Sequence, residues 1–191
     1  MSVVLNLVSV NCSWIASDGL ARNSKTQKVL SDSTPKFEAL HPHLYVGYTG
    51  TLEYAKAVIN TFNKSVPADI ALTIESAANL ITQISSCLQS KTNYRAQFLL
   101  TGISDVGSFG TITISNENKC TVLIPTQENL CFAFLGNENH LDIGPYLRQQ
   151  QRFGTKDTDT LVRKSMEAAI RDISKIDDTV NQNVFFHTIS F

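Results

Sequence analysis

Ser2-Val3-Val4-Leu5-Asn6-Leu7-Val8-Ser9-Val10-Asn11-Cys12-Ser13-Trp14-Ile15-Ala16-Ser17-Asp18-Gly19 reads as two strands and a turn. Residues 3–10 are rich in Val and Leu and partly alternate, the mark of a strand. A second strand runs from Cys12 to Ala16, and Asp18-Gly19 carries a turn signal. Farther along, residues 28–32 and 36–40 look like a hairpin broken by Ser33-Thr34-Pro35. Another strand covers Leu44 to Tyr48 and ends in the Gly47-Tyr48-Thr49-Gly50 turn.

The period then changes. Leu52, Ala55, Val58, Ile59 and Phe62 share one helical face, and Pro67 follows that helix. Ile74, Ala77, Ala78, Ile81, Ile84 and Leu88 make a second stripe, with Thr73 placed to cap it. Residues 96–103, 110–115, 119–125 and 130–135 read as a four-stranded meander. Leu161, Val162, Met166, Ala169, Ile170 and Ile173 form a third stripe. Asp157 or Asp159 stands near its start, where a carboxylate suits the helix dipole. A strand over 183–189 comes last. Helices between two blocks of strands imply two antiparallel sheets facing each other with helices outside, an α+β chain built as a four-layer αββα sandwich.

Composition bounds the function. The chain has 191 residues, 42% hydrophobic and 17% charged, with 16 Lys plus Arg against 17 Asp plus Glu, a net charge of −1. This length suits one domain, here 1–191, since typical domains run to about 100–150 residues. The apolar content can bury a core, which excludes global disorder. Near-neutral charge argues against a nucleic-acid partner. A surface poor in charge is expected to be partly covered by a protein partner. Cys12, Cys87, Cys120 and Cys131 show no metal-binding spacing and read as buried, reduced thiols. His41-Pro42-His43 lacks partners for a metal, so no cofactor or metal is expected. No basic segment leads into an apolar one, so neither a signal peptide nor a membrane span is expected, and the expected compartment is the cytoplasm.

The chemistry centres on Ser2. Its small side chain permits removal of Met1, which would put a hydroxyl and a free amine on one residue. An α-amine with a pKa near 7.7–8.0 can act as the base for such a hydroxyl. Asp18, in Ile15-Ala16-Ser17-Asp18-Gly19, stands 16 positions after Ser2. Gln27-Lys28-Val29 follows, and then Val46-Gly47-Tyr48-Thr49-Gly50-Thr51 before a helix. With Phe98-Leu99-Leu100-Thr101-Gly102-Ile103, Leu135-Gly136-Asn137-Glu138-Asn139, Asp177-Asp178-Thr179-Val180-Asn181 and Phe186-His187-Thr188-Ile189, this series resembles the proteasome β-type subunits and their bacterial ring-protease relatives, which are N-terminal nucleophile hydrolases.

That resemblance implies roles. Ser2 would be the nucleophile and its own amine the base. Lys28 would hold a positive charge beside the hydroxyl, with Asp18 orienting it. Lys25 competes for that role, because the Asp18–Lys28 segment is shorter than the family's loop. Gly50 would offer its N–H to the oxyanion. Asn137 stands for a family serine near the amine, and Asp178 and Asn181 for a supporting Asp and Ser. The family has Thr where this chain has Ser2, and a serine-containing segment where it has Asn137 and Glu138. The resemblance further implies a homo-oligomeric ring acting on unfolded polypeptide, with an ATP-driven unfoldase as a possible partner. Two other functions fit the same residues: a catalytically silent scaffold or assembly subunit, and a small-molecule amide hydrolase.

Overall fold

The computed structural model describes residues 2–23, 26–67, 70–89, 94–136, 142–152 and 157–191. The first stretch folds as read: β1 (Val4–Val8) and β2 (Cys12–Asp18) are an antiparallel pair, Val4 opposite Ser17 and Val8 opposite Ser13. β1 is buried along its whole length. Its alternate side chains face different layers: Leu5 and Leu7 join one apolar cluster and Val4 another. That is why Val and Leu nearly fill it instead of alternating with polar residues.

β3 (Ala21–Arg22) and β4 (Val29–Ser31) pair with each other. β5 (Phe37–His41) pairs with β6 (Leu44–Gly50). The expected hairpin between residues 28–32 and 36–40 is therefore corrected. Each half pairs outward instead, because Ser33-Thr34-Pro35 is a connection between two sheets. Two helices follow, α1 (Leu52–Ser65) and α2 (Ile74–Gln89). Thr73 Oγ1 accepts the Ser76 N–H at 3.4 Å, as its N-cap reading requires.

β7 (Ala96–Ile103), β8 (Phe109–Ile114) and β9 (Cys120–Leu123) continue antiparallel onto β6. The expected meander stops there. β10 (Cys131–Leu135) crosses to the other sheet and pairs with β1. α3 (Gly144–Arg152) was not anticipated, since a Gln- and Arg-rich segment offers few apolar anchors beyond Tyr146 and Leu147. α4 (Thr158–Ile173) is capped by Asp157, which accepts the Thr160 N–H at 2.7 Å, while Asp159 lies in its first turn. β11 (Val184–Ser190) completes a four-stranded sheet ordered β10-β1-β2-β11; the five-stranded sheet is β5-β6-β7-β8-β9, and β3-β4 stands as a two-stranded sheet.

The chain is thus α+β, with antiparallel sheets and four helices among the described residues. One core joins α1 and α2 to the five-stranded sheet through Tyr54, Val58, Phe62, Ile81, Phe98 and Leu100. Another joins α4 to the four-stranded sheet through Leu5, Leu7, Trp14, Val162, Met166 and Ile170. A third, with Val4, Ile15, Leu99 and Leu135, lies between β1, β2, β7 and β10. There Ser13 Oγ and Thr101 Oγ1, both buried, share a 2.6 Å hydrogen bond. The cysteine expectation is corrected in part: all four are free thiols, but Cys87 and Cys120 are exposed. Both sit on surface-facing positions that their apolar neighbours do not reveal. Among the described residues no helix is long and apolar enough to cross a membrane.

Candidate functional site

Ser2 stands just before β1, and Asp18 ends the neighbouring strand β2. Antiparallel pairing brings these two ends together despite 16 residues of separation. Asp18 is fully buried. Its Oδ1 accepts the N–H of Val3 at 2.9 Å and its Oδ2 that of Leu20 at 2.9 Å. Asp18 therefore fixes the backbone immediately after Ser2. Burial pushes its carboxyl up from 3.8, while the Val3 and Leu20 N–H groups, Lys36 and the Asn181 N–H oppose that rise.

The lysine beside Asp18 is Lys36, not Lys28. Lys28 is exposed in the turn of the β3–β4 hairpin, where its carbonyl accepts the Asn23 N–H at 2.9 Å. The chain leaves Asp18, makes that hairpin and only then returns at Lys36. Lys36 is 4% exposed, its N–H donates to Ser17 Oγ at 3.0 Å, and its carbonyl accepts the Tyr48 N–H at 2.9 Å. Burial lowers its ammonium from 10.5; Asp18 opposes this and Lys56 adds to it. Lys56 itself lies 3.0 Å from Glu38 and 5.2 Å from the Tyr48 ring centre. No direct ion pair joins Lys36 to Asp18, whose oxygens are engaged by backbone. The signal for Lys36 was faint. It is a lone cation between Pro35 and the inward-reading Phe37 at a strand start, where an exposed lysine would have been equally ordinary.

Ser2, Lys36, Tyr48 and Gly50 line a small pocket of about 40 Å³. That is room for a water, which needs at least about 10–15 Å³ by the same measure. It adjoins a cavity of about 430 Å³ whose lining includes Ser2, Arg22, Gly50, Arg95, Gly136 and Thr179. Gly50 sits at the end of β6 with φ +98°, and a Cβ there would lie 2.6 Å from the Arg95 carbonyl. Only glycine meets both demands easily.

The remaining expected residues divide. Asn181 is close behind the site, but its side chain accepts the Gly19 N–H at 2.9 Å and donates to the Asp32 carbonyl at 2.7 Å. The Asp178 carboxylate is 87% exposed and lies 3.9 Å from Arg22. The contacts of these two side chains are thus with Gly19, Asp32 and Arg22. Met1, Lys25, Asn137 and Glu138 lie outside the described residues. Among the described residues no cluster of His, Cys, Asp and Glu could hold a metal. His187, in the closing strand, stacks on Tyr45 with ring centres 4.6 Å apart.

Among solved structures, the chain is similar to the Anbu complex from Pseudomonas aeruginosa, described as a helical assembly. The TM-score is 0.75 at 13% identity over 98% of this chain and 81% of that one. The fold is shared with Anbu. It is also similar to eukaryotic HslV from Trypanosoma brucei, with a TM-score of 0.59 at 14% identity over 99% of both chains. No family model and no curated protein matches the chain. At these identities the likeness concerns the fold, and at that level it supports the proteasome-like resemblance.

Proposed function

We propose that the chain is a proteasome-like peptidase using Ser2 as an N-terminal nucleophile. The observation carrying this reading is the convergence of Ser2, Lys36 and Gly50 on one pocket, with buried Asp18 holding the Val3 N–H. After Met1 is removed, the Ser2 amine takes the hydroxyl proton, directly or through a water in the small pocket. The Ser2 oxygen attacks the peptide carbonyl, and the Gly50 N–H donates to the developing oxyanion. Proton return to the leaving amine gives an ester on Ser2, which water hydrolyses. Lys36 supplies the charge that favours the deprotonated oxygen, the role first assigned to Lys28. Asp18 orients the Ser2 backbone and balances Lys36.

The three apolar clusters support the four-layer αββα order in one domain spanning residues 1–191. The assembled state described for Anbu supports self-association, and the ring and the unfoldase belong to the same proposal. A second reading, a silent assembly subunit, is favoured by one observation: the Asp178 and Asn181 side chains serve Arg22, Gly19 and Asp32 instead of the Ser2 amine. Intact mass and turnover separate the readings. The peptidase reading requires a chain beginning at Ser2 that cleaves unfolded peptides. Ser2→Ala should lower that turnover by at least about a thousandfold, while Ser2→Thr retains it. A homogeneous chain still carrying Met1, inert on peptides, would leave the silent subunit.

A further inference from the structure

Arg22 lines both the small pocket and the larger cavity together with Ser2. It sits on β3, and its side chain is 28% exposed. One end of the guanidinium is occupied: Nη2 donates to the Asp178 carbonyl at 2.6 Å, and Nη1 lies 3.9 Å from the Asp178 carboxylate. Nε is buried and has no hydrogen-bond partner. A desolvated donor left unsatisfied is costly. An ion pair this long, to a carboxylate almost wholly in water, contributes little. Arg22 thus carries an incompletely used fork beside the reacting residue, and its present carboxylate is loosely held. The cavity's charged lining is Arg22, Arg95 and Glu53 among the described residues, two cations to one anion.

We infer that Arg22 selects substrates presenting a carboxylate next to the bond at Ser2, by exchanging the Asp178 carboxylate for the substrate's. The planar guanidinium can turn from Asp178 to give Nε and one Nη to a carboxylate as two parallel bonds. Arg22 then acts on specificity, and Asp178 is an internal stand-in for the ligand. The inference rests on the peptidase reading for the bond that is cut, but not for the binding. The carboxylate has two possible sources, an acidic side chain or a free C-terminus.

The test uses the processed chain with Ser2→Ala and fluorescein-labelled peptides of one sequence. These carry Glu or Gln at the central position, each with a free or an amidated C-terminus. Fluorescence anisotropy should give about tenfold tighter binding for the carboxylate-bearing member of one of these pairs. The pair that responds identifies the source. Arg22→Gln should bring the two members within about twofold, and Asp178→Asn, which removes the competing carboxylate while the main-chain carbonyl keeps its bond to Nη2, should tighten binding of the acidic peptide. Equal binding of all four peptides overturns the inference, as does a preference that survives Arg22→Gln. If Arg22→Gln fails to fold, Asp178→Asn decides alone, and unchanged affinity overturns it. Turnover by the Ser2 protein keeps the two claims apart. Arg22-dependent binding without turnover removes the peptidase reading only; turnover without carboxylate preference removes the selectivity only.

Discussion

Asp18 and Lys36 are two ionisable groups that folding takes out of water without joining them in a direct pair. A carboxyl raised above 3.8 by burial contributes stability that is present below that value and lost as pH rises through its folded value. An ammonium lowered from 10.5 contributes stability that is present above 10.5 and lost as pH falls through its folded value. Between the two folded values both charges oppose folding. Lys36→Met should therefore abolish turnover yet leave stability at pH 7 within about 2 kcal/mol of the parent or above it, since backbone N–H groups satisfy Asp18. Denaturant titrations as pH climbs toward 10.5 should show the parent gaining on this variant. Lys28→Met should change stability by no more than about 0.5 kcal/mol and leave turnover unaltered. The pH–rate profile should rise through about 7.7–8.0 as the amine loses its proton and fall before 10.5 as Lys36 loses its own. Asp18→Asn leaves one amide oxygen where two carboxylate oxygens now take the Val3 and Leu20 N–H groups, so a loss of about 1–3 kcal/mol is expected.

At the scale of elements, the site depends on where strands end. β1 and β2 were legible because a run of Val and Leu bounded by turn residues leaves few alternatives. α1, α2 and α4 were legible because their apolar stripes repeat with the helical period. The β3–β4 hairpin was not, and it is what displaces Lys28. β4 was read as a strand but given the wrong partner, because two-residue β3 carries too little pattern to read. β10 was seen as a strand but joined to the wrong sheet, because periodicity specifies the pleat and not the partner. Gly50 joins element to site: at φ +98°, with the Arg95 carbonyl 2.6 Å from any added Cβ, it closes β6. Gly50→Ala should lower stability by more than about 1 kcal/mol and reduce turnover, measurable as a drop in melting temperature and in kcat.

For the whole molecule, the low charge that implied a covered surface has named exposed residues. Val29 and Leu30 on β4 are 49% and 57% exposed, and Ile176 and Val106 are more so. With the proposed self-assembly, light scattering at micromolar concentration should report a mass of several chains; a monomer of 21.1 kDa at all concentrations would count against it. The sequence by itself determined the α+β class and most of the elements, because these follow from local period and turn chemistry; Asp18 and Gly50, and the nucleophile role of Ser2, entered as candidates only through the resemblance to proteasome β-type subunits. Only the tertiary structure decided which lysine meets Asp18, which sheet receives β10, and that Arg22 faces the cavity while Asp178 and Asn181 serve other groups. Those outcomes depend on how a connecting hairpin routes the chain between two sheets, and on which polar groups burial leaves without water. Neither is written in the neighbourhood of any one residue.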